Sequence, residues 1–331
     1  MKLNFAQIGI GYWGPNLLRN VMENENCKMS RVVDLSPKRL DYVKEIYPDI
    51  AVSHNINDIF MDPEISGVII STPVNTHFDL AKACLESGKH ILVEKPLTSS
   101  TSELDELDRI AKINGLVVMV GHTFLYNSAV RYIKEIIDSG EIGEIRYIYS
   151  QRLNLGRIRD DVDALWNLGP HDISIIQYWL NEAEPMGFNR NGTSYVQKDI
   201  DDVVFLNIQY PDNIIANIHV SWLDPQKVRK MTIVGSNKMV IYDDIAEDKI
   251  SIYDKGIDKI AILGKDMDFD GPKKFNYDYR SGEVFIPSIA YKEPLREEID
   301  HFVDCIKLKT ECITGIDHAR KVIGILENSS S

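Results

Sequence analysis

The sequence contains few cysteines, no long apolar run and no excess of basic charge. Only four cysteines occur among 331 residues, and no two of them lie at the close spacing of a zinc-binding pair, so the sequence predicts no metal site: Cys27, Cys84, Cys305 and Cys312. Acidic residues outnumber basic ones by 50 to 37. The resulting net charge of −13 argues against nucleic-acid or anionic-membrane partners, which need a basic surface. A small anionic ligand is still compatible with it, because a pocket can be locally basic.

The absence of a long apolar segment also bears on location. No stretch approaches the roughly 18 uninterrupted apolar residues of a membrane-spanning helix. The chain runs from Met1 into a predicted strand without the charged and apolar segments of a secretory leader. We therefore expect a cytoplasmic protein with no membrane partner. The chain is longer than a single hydrophobic core usually accommodates, which predicts two domains.

The first 120 residues alternate short apolar strands with amphipathic helices. Gly88 and Gly115 stand where glycines commonly end helices. The pattern is typical of a parallel, doubly wound sheet, because the strands are apolar on both faces. The predicted strands are Leu3–Gly9, Met29–Asp34, Gly67–Ser71, His90–Val93 and Leu116–Gly121.

The pattern changes after Gly121. A helix, a strand, a polar loop at 154–163 and a second helix come first, and from Asp202 short strands with period-two alternation follow, weakening toward Ile286. This predicts an α+β domain on a large, mainly antiparallel open sheet, closed by helices near the C-terminus. The fold class is α/β, with a Rossmann domain at 1–122 and the second domain at 123–331.

A glycine-rich turn follows the first strand. Its G-x-G-x-x-G pattern comprises Gly9, Gly11 and Gly14, with Tyr12 and Trp13 between the last two. The first glycine permits the tight turn, the second lets a pyrophosphate approach the backbone, and the third allows helix and strand to pack closely. Asp34 ends the second strand, 20 residues after Gly14, where a ribose-binding carboxylate is expected. The turn predicts NAD as the cofactor, although Lys38 and Arg39 leave NADP open.

Two further strand ends contribute to this prediction. The segment 71–77 should line the nicotinamide half of the cofactor site; its predicted contacts are Ser71, Thr72, Pro73, Asn75 and His77. Asn75 or Thr76 could instead serve only as a helix N-cap. Lys95 lies just beyond the strand at 90–93, in the sequence Glu94-Lys95-Pro96. A lysine there either uses its charge on a ligand or merely extends its ammonium into water.

Taken together, these motifs resemble the Gfo/Idh/MocA family of oxidoreductases. The resemblance covers nearly the whole chain, and its ordered landmarks are Gly9–Gly14, Thr72 to His77, Glu94-Lys95-Pro96, the segment 121–127 and Leu168-Gly169-Pro170-His171-Asp172. It implies an NAD-dependent enzyme that oxidises or reduces a secondary alcohol. It also implies a homodimer or homotetramer formed through the C-terminal sheet.

The resemblance assigns roles to particular residues. Glu94 and Lys95 adjoin the cofactor, Lys95 hydrogen-bonds the reacting oxygen beside a cis bond to Pro96, and His171 is the general acid/base. A histidine suits this role because it titrates near neutral pH, and an ammonium stabilises developing alkoxide charge. His171 could instead be a capping or core residue.

One position departs from the family pattern. Many relatives carry an aspartate four residues before the histidine, where this chain has Asn167. Asn167 shares a helix face with His171 and can orient it or bond a substrate hydroxyl, but it cannot accept a proton. Asp161, Asp163 or Asp172 could supply the missing charge.

The finer resemblance, in residues 11–20 and 121–127, is to the sugar-nucleotide 3-dehydrogenases. It implies oxidation at C3 of UDP-N-acetylglucosamine, and hence cations for a diphosphate. Arg152, Arg157 and Arg159 either form this phosphate clamp or belong to a solvated loop balanced by nearby aspartates. The predicted sugar contacts are Tyr126, Asn127 and Asn154, although Tyr126 could instead be a packing residue. An inositol or free-sugar dehydrogenase, or a catalytically silent sensor of dinucleotide or sugar, is the alternative function.

Overall fold

The computed structural model describes residues 2–261 and 275–329. The chain divides into two compact units. The first comprises the described residues of Met1–Ser128, Ile173–Tyr178 and Tyr291–Ser331, and the second those of Ala129–Asp172 and Trp179–Ala290. The predicted division at residue 122 therefore differs from the observed one, because the C-terminal helical segment belongs to the first unit.

The first unit is built on a parallel sheet. The strands that the structure describes in it are β1 (Leu3–Ile8), β2 (Cys27–Val33), β3 (Ala51–Ser53), β4 (Gly67–Ile70), β5 (His90–Val93) and β6 (Val118–Val120). Their order is β3-β2-β1-β4-β5-β6, and all neighbours pair in parallel. This confirms the predicted doubly wound sheet. The sequence analysis missed β3, because three half-exposed residues at the sheet edge carry no apolar pattern.

Helices connect the strands of this sheet and recur in the rest of the chain. Those that the structure describes are α1 (Gly14–Glu23), α2 (Pro37–Ile46), α3 (Asn57–Phe60), α4 (His77–Glu86), α5 (Thr101–Asn114), α6 (Ser128–Asp138), α7 (Ala164–Trp179), α8 (Pro294–Lys307) and α9 (Ile316–Ser329). Helix α5 begins at Ser100, whose hydroxyl accepts the N–H of Glu103 at 3.3 Å, and ends at Gly115 in the left-handed region. None of the helices in these described ranges is long and apolar enough to cross a bilayer.

Helix α8 explains why the C-terminal segment belongs to the first unit. Leu295, Ile299 and Phe302 recur on one helical face and are buried in the same core as the β1 side chain Phe5. The rings of Phe5 and Phe302 lie 5.4 Å apart. Burying each of these side chains stabilises the unit by about 1.5–3 kcal/mol, so α8 is an integral layer of the Rossmann unit.

The second unit is built on a larger sheet. Its described strands are β7 (Ile145–Leu155), β8 (Gly187–Thr193), β9 (Val203–Gln209), β10 (Ile215–Ser221), β11 (Leu223–Gly235), β12 (Met239–Asp243), β13 (Ile250–Ala261) and β14 (Phe275–Phe285). The order is β14-β13-β12-β11-β7-β10-β9-β8. β7 and β10 pair in parallel and the other neighbours antiparallel, as predicted for a mainly antiparallel sheet. Part of the predicted strand region, residues 262–274, lies outside the described residues.

Candidate active site

The turn between β1 and α1 needs its glycines for different steric reasons. Gly9 has a φ of +92°, and a Cβ there would lie 2.8 Å from the carbonyl oxygen of Ser71. A Cβ on Gly14 would lie 2.9 Å from the carbonyl oxygen of Gly9. At Gly11 the nearest atom to such a Cβ is 3.7 Å away. The turn is therefore closed toward the sheet at Gly9 and Gly14 and open at Gly11, where the sequence predicts that a pyrophosphate approaches.

Gln7 holds this turn in place, which the sequence analysis did not anticipate. Its fully buried side-chain amide donates to the carbonyl oxygens of Gly9 and Gly14, both at 3.0 Å. The hydroxyl of Ser71 donates to the same Gly9 oxygen at 2.8 Å. A signal was present in the sequence: Gln7 is a polar residue inside the apolar run of β1, and such a group is buried only with hydrogen-bond partners.

Asp34 lies beside the glycine turn, as predicted. Its Oδ2 accepts the backbone N–H of Ile10 at 2.7 Å, and its Oδ1 accepts that of Ser36 at 2.7 Å. The guanidinium of Arg39 is 3.5 Å from Oδ2. A carboxylate offers about four lone-pair sites, so these contacts orient Asp34 and leave acceptor capacity for ribose hydroxyls. The half-exposed Arg39 thus places a cation beside the carboxylate that is predicted to bind the ribose.

His77 connects two loops of the first unit. Its buried ring has Nε2 at 2.9 Å from the carbonyl oxygen of Thr72 and Nδ1 at 2.8 Å from that of Pro96. Burial lowers the pKa of His77, so the ring is neutral and donates to one carbonyl at a time. The ring is enclosed by protein, and this geometry does not support the predicted contact between His77 and the cofactor. Instead, His77 positions the Thr72 turn against the segment that carries Lys95.

The neighbouring residues in this turn resolve one alternative. Thr76 precedes α4, but its side chain makes no capping hydrogen bond and instead donates to the carbonyl oxygen of Pro73 at 2.7 Å. The N-cap function considered for Thr76 is therefore absent. Asn75 is exposed. Ser71, Thr72 and Pro73 follow β4 directly, at the carboxyl edge of the sheet where a cofactor is expected.

Lys95 follows β5, and its peptide bond to Pro96 is cis, as the resemblance implies. Two carboxyl groups of the first unit lie near this segment. Burial raises the pKa of Glu94 to about 7, against a smaller opposing effect of the Lys95 charge. Burial also raises the pKa of Glu298 on α8, and the Glu94 charge adds to it, while Thr123 donates a hydrogen bond to Glu298 at 3.0 Å. The charge of Glu94, which adjoins Lys95, is thus disfavoured at neutral pH.

In the second unit, α7 carries Asn167 and His171 one turn apart. The start of this helix is fixed by Asp163, whose Oδ1 accepts the backbone N–H of Trp166 at 2.8 Å. The indole N–H of Trp222 donates to Oδ1 of Asn167 at 3.2 Å. The amide of Asn167 is therefore oriented by Trp222, a residue at the end of β10 that the sequence analysis did not single out.

The aspartates considered as substitutes for the missing acid all bind arginines. Asp163 and Asp201 both accept from Arg190, at 2.7 and 2.6 Å. Asp161 forms an exposed bidentate pair with Arg159. Asp172 is buried against Arg152, so each of the three candidate acids already balances a cation of the second unit.

Arg152 is placed differently from its prediction as a phosphate ligand. Its Nε and Nη2 donate to Oδ1 of Asp172 at 2.9 and 2.6 Å, and its side chain is only 6% exposed. An arginine that is enclosed and paired in this way does not offer its charge to a diphosphate. The sequence analysis placed it with Arg157 and Arg159 because all three lie within eight residues, but Arg152 points into the unit from β7.

A cavity of about 440 Å³ in the second unit brings together several predicted substrate residues. Asn154, Arg157 and Asn167 line it, with Arg159 and Trp222 beside them. Arg159 is neutralised by Asp161, whereas Arg157 has no carboxylate within 4 Å among the residues that the structure describes. The cavity therefore presents the cation of Arg157, the two amides and the exposed carboxylate of Asp160, beside the Arg159–Asp161 pair.

Tyr126 is the second predicted substrate contact that the structure places elsewhere. Its side chain is fully buried in the first unit, and its hydroxyl lies 3.0 Å from the hydroxyl of Thr314. This supports the packing function that was the alternative for Tyr126. Asn127, the next residue, is partly exposed.

The parallel sheet and the glycine turn define a dinucleotide-binding oxidoreductase, and comparison with known proteins identifies its family. The model of an oxidoreductase family with an NAD-binding Rossmann fold matches residues 3–122, and that of the GFO/IDH/MocA C-terminal domain matches residues 130–241. The chain belongs to the Gfo/Idh/MocA oxidoreductase family, and its cofactor is NAD.

Its relatives have several different activities. The chain is 26% identical over 227 residues to a 2,7-anhydro-N-acetylneuraminate hydratase of Mediterraneibacter gnavus, covering 65% of this chain and 60% of the relative. It is 31% identical over 164 residues to the scyllo-inositol 2-dehydrogenase (NADP(+)) of Bacillus subtilis, covering 50% and 43%. It is 29% identical over 194 residues to the UDP-N-acetylglucosamine 3-dehydrogenase of Acidithiobacillus ferrooxidans, covering 58% and 60%. The matched regions thus span less than two thirds of each relative.

The solved structure of the Acidithiobacillus enzyme has the same fold. It superimposes with a TM-score of 0.82 at 22% identity, covering 100% of this chain and 97% of that one. This agreement extends the likeness in fold over both units.

Proposed function

We propose that this protein is an NAD-dependent dehydrogenase that oxidises a secondary alcohol of a sugar nucleotide, the C3 hydroxyl of UDP-N-acetylglucosamine. The observation that carries the proposal is the cavity of the second unit, where Arg157 lies beside Asn154 and Asn167. An arginine suits a diphosphate because its planar donors match phosphate oxygens. Amides suit sugar hydroxyls and an acetamido group because they both donate and accept.

The proposed chemistry assigns roles to two residues. Lys95 hydrogen-bonds the reacting oxygen and stabilises the charge that develops there, while His171 removes the hydroxyl proton. NAD, when bound, supplies the hydride acceptor. Asn167 is uncharged and receives the Trp222 N–H at its carbonyl oxygen, so it orients groups rather than accepting a proton.

A substrate panel with two matched variants tests the sugar-nucleotide assignment. NADH formation is followed with UDP-N-acetylglucosamine, free N-acetylglucosamine and myo-inositol. We expect the nucleotide sugar to have the highest kcat/KM. Arg157→Gln should raise its KM about 10-fold or more, through loss of a charge-assisted contact, and should leave the free sugar unaffected. Arg146→Gln, at an exposed position near the start of β7, is the control and should change the KM of neither substrate.

An inositol dehydrogenase is the second candidate, favoured by the relative from Bacillus subtilis and by the pairing of Arg159 with Asp161. Equal or faster turnover of myo-inositol, unaffected by Arg157→Gln, would establish it instead. Binding of NAD with no NADH formed from any substrate would point to a sensor of dinucleotide or sugar.

We also propose that the chain forms a homo-oligomer through the open face of the second sheet. Tyr147, Phe205 and Ile215 are large exposed side chains on neighbouring strands, and Tyr147 and Ile215 are directly paired in register. His219 stacks on Phe205 with ring centroids 4.1 Å apart. Phe205→Glu should reduce the mass measured by light scattering to that of one chain; an unchanged mass would exclude this face.

A further inference from the structure

A cluster of metal-binding side chain types lies in the first unit, among residues to which the proposed reaction assigns no role. His301 and Cys305 are four residues apart and therefore share one face of α8. Cys312 lies in the segment between α8 and α9. The potential ligand atoms of these three residues all lie within 4.8 Å of one another.

The distances within the cluster fit a tetrahedral ion. Zinc binds sulfur at about 2.3 Å and imidazole nitrogen at about 2.0–2.1 Å, which places the two ligand atoms about 3.5–3.6 Å apart at the tetrahedral angle. Sγ of Cys305 and Nε2 of His301 are 3.5 Å apart. One edge of the coordination polyhedron is therefore already formed, and the sulfur of Cys312 lies within 4.8 Å of both other ligand atoms.

The surroundings supply hydrogen-bond donors to the same atoms. The hydroxyl of Thr310 donates to Sγ of Cys305 at 3.7 Å, and the backbone N–H of Ile313 points at Nε2 of His301 at 3.3 Å. An N–H directed at Nε2 means that this nitrogen carries the lone pair of the ring, with the ring proton on Nδ1; an ion bound at Nε2 takes the place of this hydrogen bond. Thiolate sulfur and neutral imidazole are the forms that bind zinc.

We propose that His301, Cys305 and Cys312 form a structural site for a thiophilic divalent cation, zinc(II), with water at the fourth position. Binding releases the thiol protons of Cys305 and Cys312 to solvent and involves no change of oxidation state. The ion would tie α8 to the segment that precedes α9. That segment also supports the central sheet, because the carbonyl oxygen of Thr314 accepts the N–H of Val120 on β6 at 2.9 Å.

Metal analysis of the full chain tests the proposal. The protein, carrying no histidine tag, is reduced, stripped with a chelator, equilibrated with zinc sulfate and desalted. We expect about one zinc per chain in the wild type. Cys312→Ser and His301→Gln should lose most of it. Cys27→Ser is the matched control, because Cys27 is a buried cysteine outside the cluster and its sulfur bonds only a backbone carbonyl of the described residues. Full zinc content in Cys312→Ser and His301→Gln would overturn the proposal, as would a wild type without zinc.

Cobalt substitution gives a readout that does not depend on the stability of the variants. A site with two thiolates should give thiolate-to-cobalt charge transfer in the near ultraviolet, together with the intense visible bands of tetrahedral Co(II). Spectra with only the weak bands of octahedral Co(II) would contradict the site. A Cys305–Cys312 disulfide in freshly purified protein, detected by mass spectrometry, would also overturn it and identify the pair as a redox element.

Discussion

Arg152 on β7 donates two hydrogen bonds to a single carboxylate oxygen of Asp172 on α7, at 2.6 and 2.9 Å. Both side chains are almost fully enclosed, with 6% and 2% exposure. Asp172 directly follows His171, so the pair fixes the turn of α7 that carries the proposed base. Arg152, which the sequence suggested for phosphate binding, therefore holds the helix that carries the proposed base to the sheet.

Breaking this pair on one side should be costly. In Asp172→Asn the buried guanidinium loses its countercharge, and we expect the free energy of unfolding to fall by about 3–5 kcal/mol. The double variant Arg152→Met/Asp172→Asn should recover much of that loss, because no buried charge remains. Urea unfolding measures the free energy of unfolding of both variants.

The control for this prediction is an exposed ion pair. Lys112 is 71% exposed and bonds Asp108 at 2.7 Å, so Lys112→Gln should cost less than about 1 kcal/mol. An Asp172→Asn variant no more destabilised than Lys112→Gln would show that the buried pair contributes nothing beyond a surface contact.

Lys95 is the residue whose removal should affect the chemical step most. Lys95→Ala removes the proposed oxyanion contact, and we expect kcat to fall about 10²–10³-fold. The dissociation constant of NAD, measured by fluorescence, should change far less, because Gly9, Gly11 and Asp34 are predicted to form most of that site. A variant within a few-fold of wild-type kcat would exclude the proposed role.

Most of the fold was predictable from the sequence because periodicity reports which faces are buried. The strands β1, β4 and β5 were predicted because their apolar residues lie on both faces. β8 was missed because Gly187–Thr193 is polar and half exposed. The packing of α8 on β1 was also not predicted. An apolar stripe shows which face of a helix is buried, but not which sheet that face packs against.

The site was predictable where backbone geometry dictates the residue type. Gly9 follows from steric exclusion, and Asp34 from its spacing. Arg152 and Tyr126 were misplaced because a short distance along the chain does not tell which side of a strand or helix a side chain faces. Gln7 left a signal as a polar residue in an apolar strand, whereas Trp222 acts through a hydrogen bond to Asn167, a partner distant in the chain that one sequence does not reveal.

Asp34 should set the preference for NAD. Asp34→Ala removes the acceptor for the ribose hydroxyls and leaves Arg39 without its carboxylate partner, 3.5 Å away in the wild type. We expect weaker NAD binding, about 10-fold or more, and a higher ratio of NADP to NAD turnover, because the negative charge that repels a 2′-phosphate is gone. The ratio of kcat/KM for the two cofactors is the measurement. A variant that keeps the wild-type ratio would show that Asp34 does not discriminate between them.

Glu94 should make stability depend on pH. Its folded-state pKa of about 7 lies above the ordinary value of 4.5, so the folded state prefers the protonated form. Ionisation of Glu94 therefore destabilises the folded protein. This loss of stability is absent below about pH 4.5, increases as the pH rises, and is complete above about pH 7. Glu94→Gln should be more stable than wild type by about 2–3 kcal/mol at pH 8, and by little at pH 4.5. Unfolding curves across this range test it, and a difference independent of pH would contradict it.

His77 should control how firmly the turn after β4 is held against the Lys95 segment. His77→Ala leaves the carbonyl oxygens of Thr72 and Pro96 buried without their imidazole contacts of 2.9 and 2.8 Å, which should cost about 2–4 kcal/mol of stability. The pKa of His77 is lowered by burial, so this stabilisation is complete above pH 6.5 and is lost as the pH falls below it. The difference between variant and wild type should shrink accordingly between pH 7 and pH 5, and NAD should bind more weakly to the variant. His219→Ala, in the second unit, is the control and should leave NAD binding unchanged. If His77→Ala bound NAD as wild type does, the imidazole would hold the loops for stability alone.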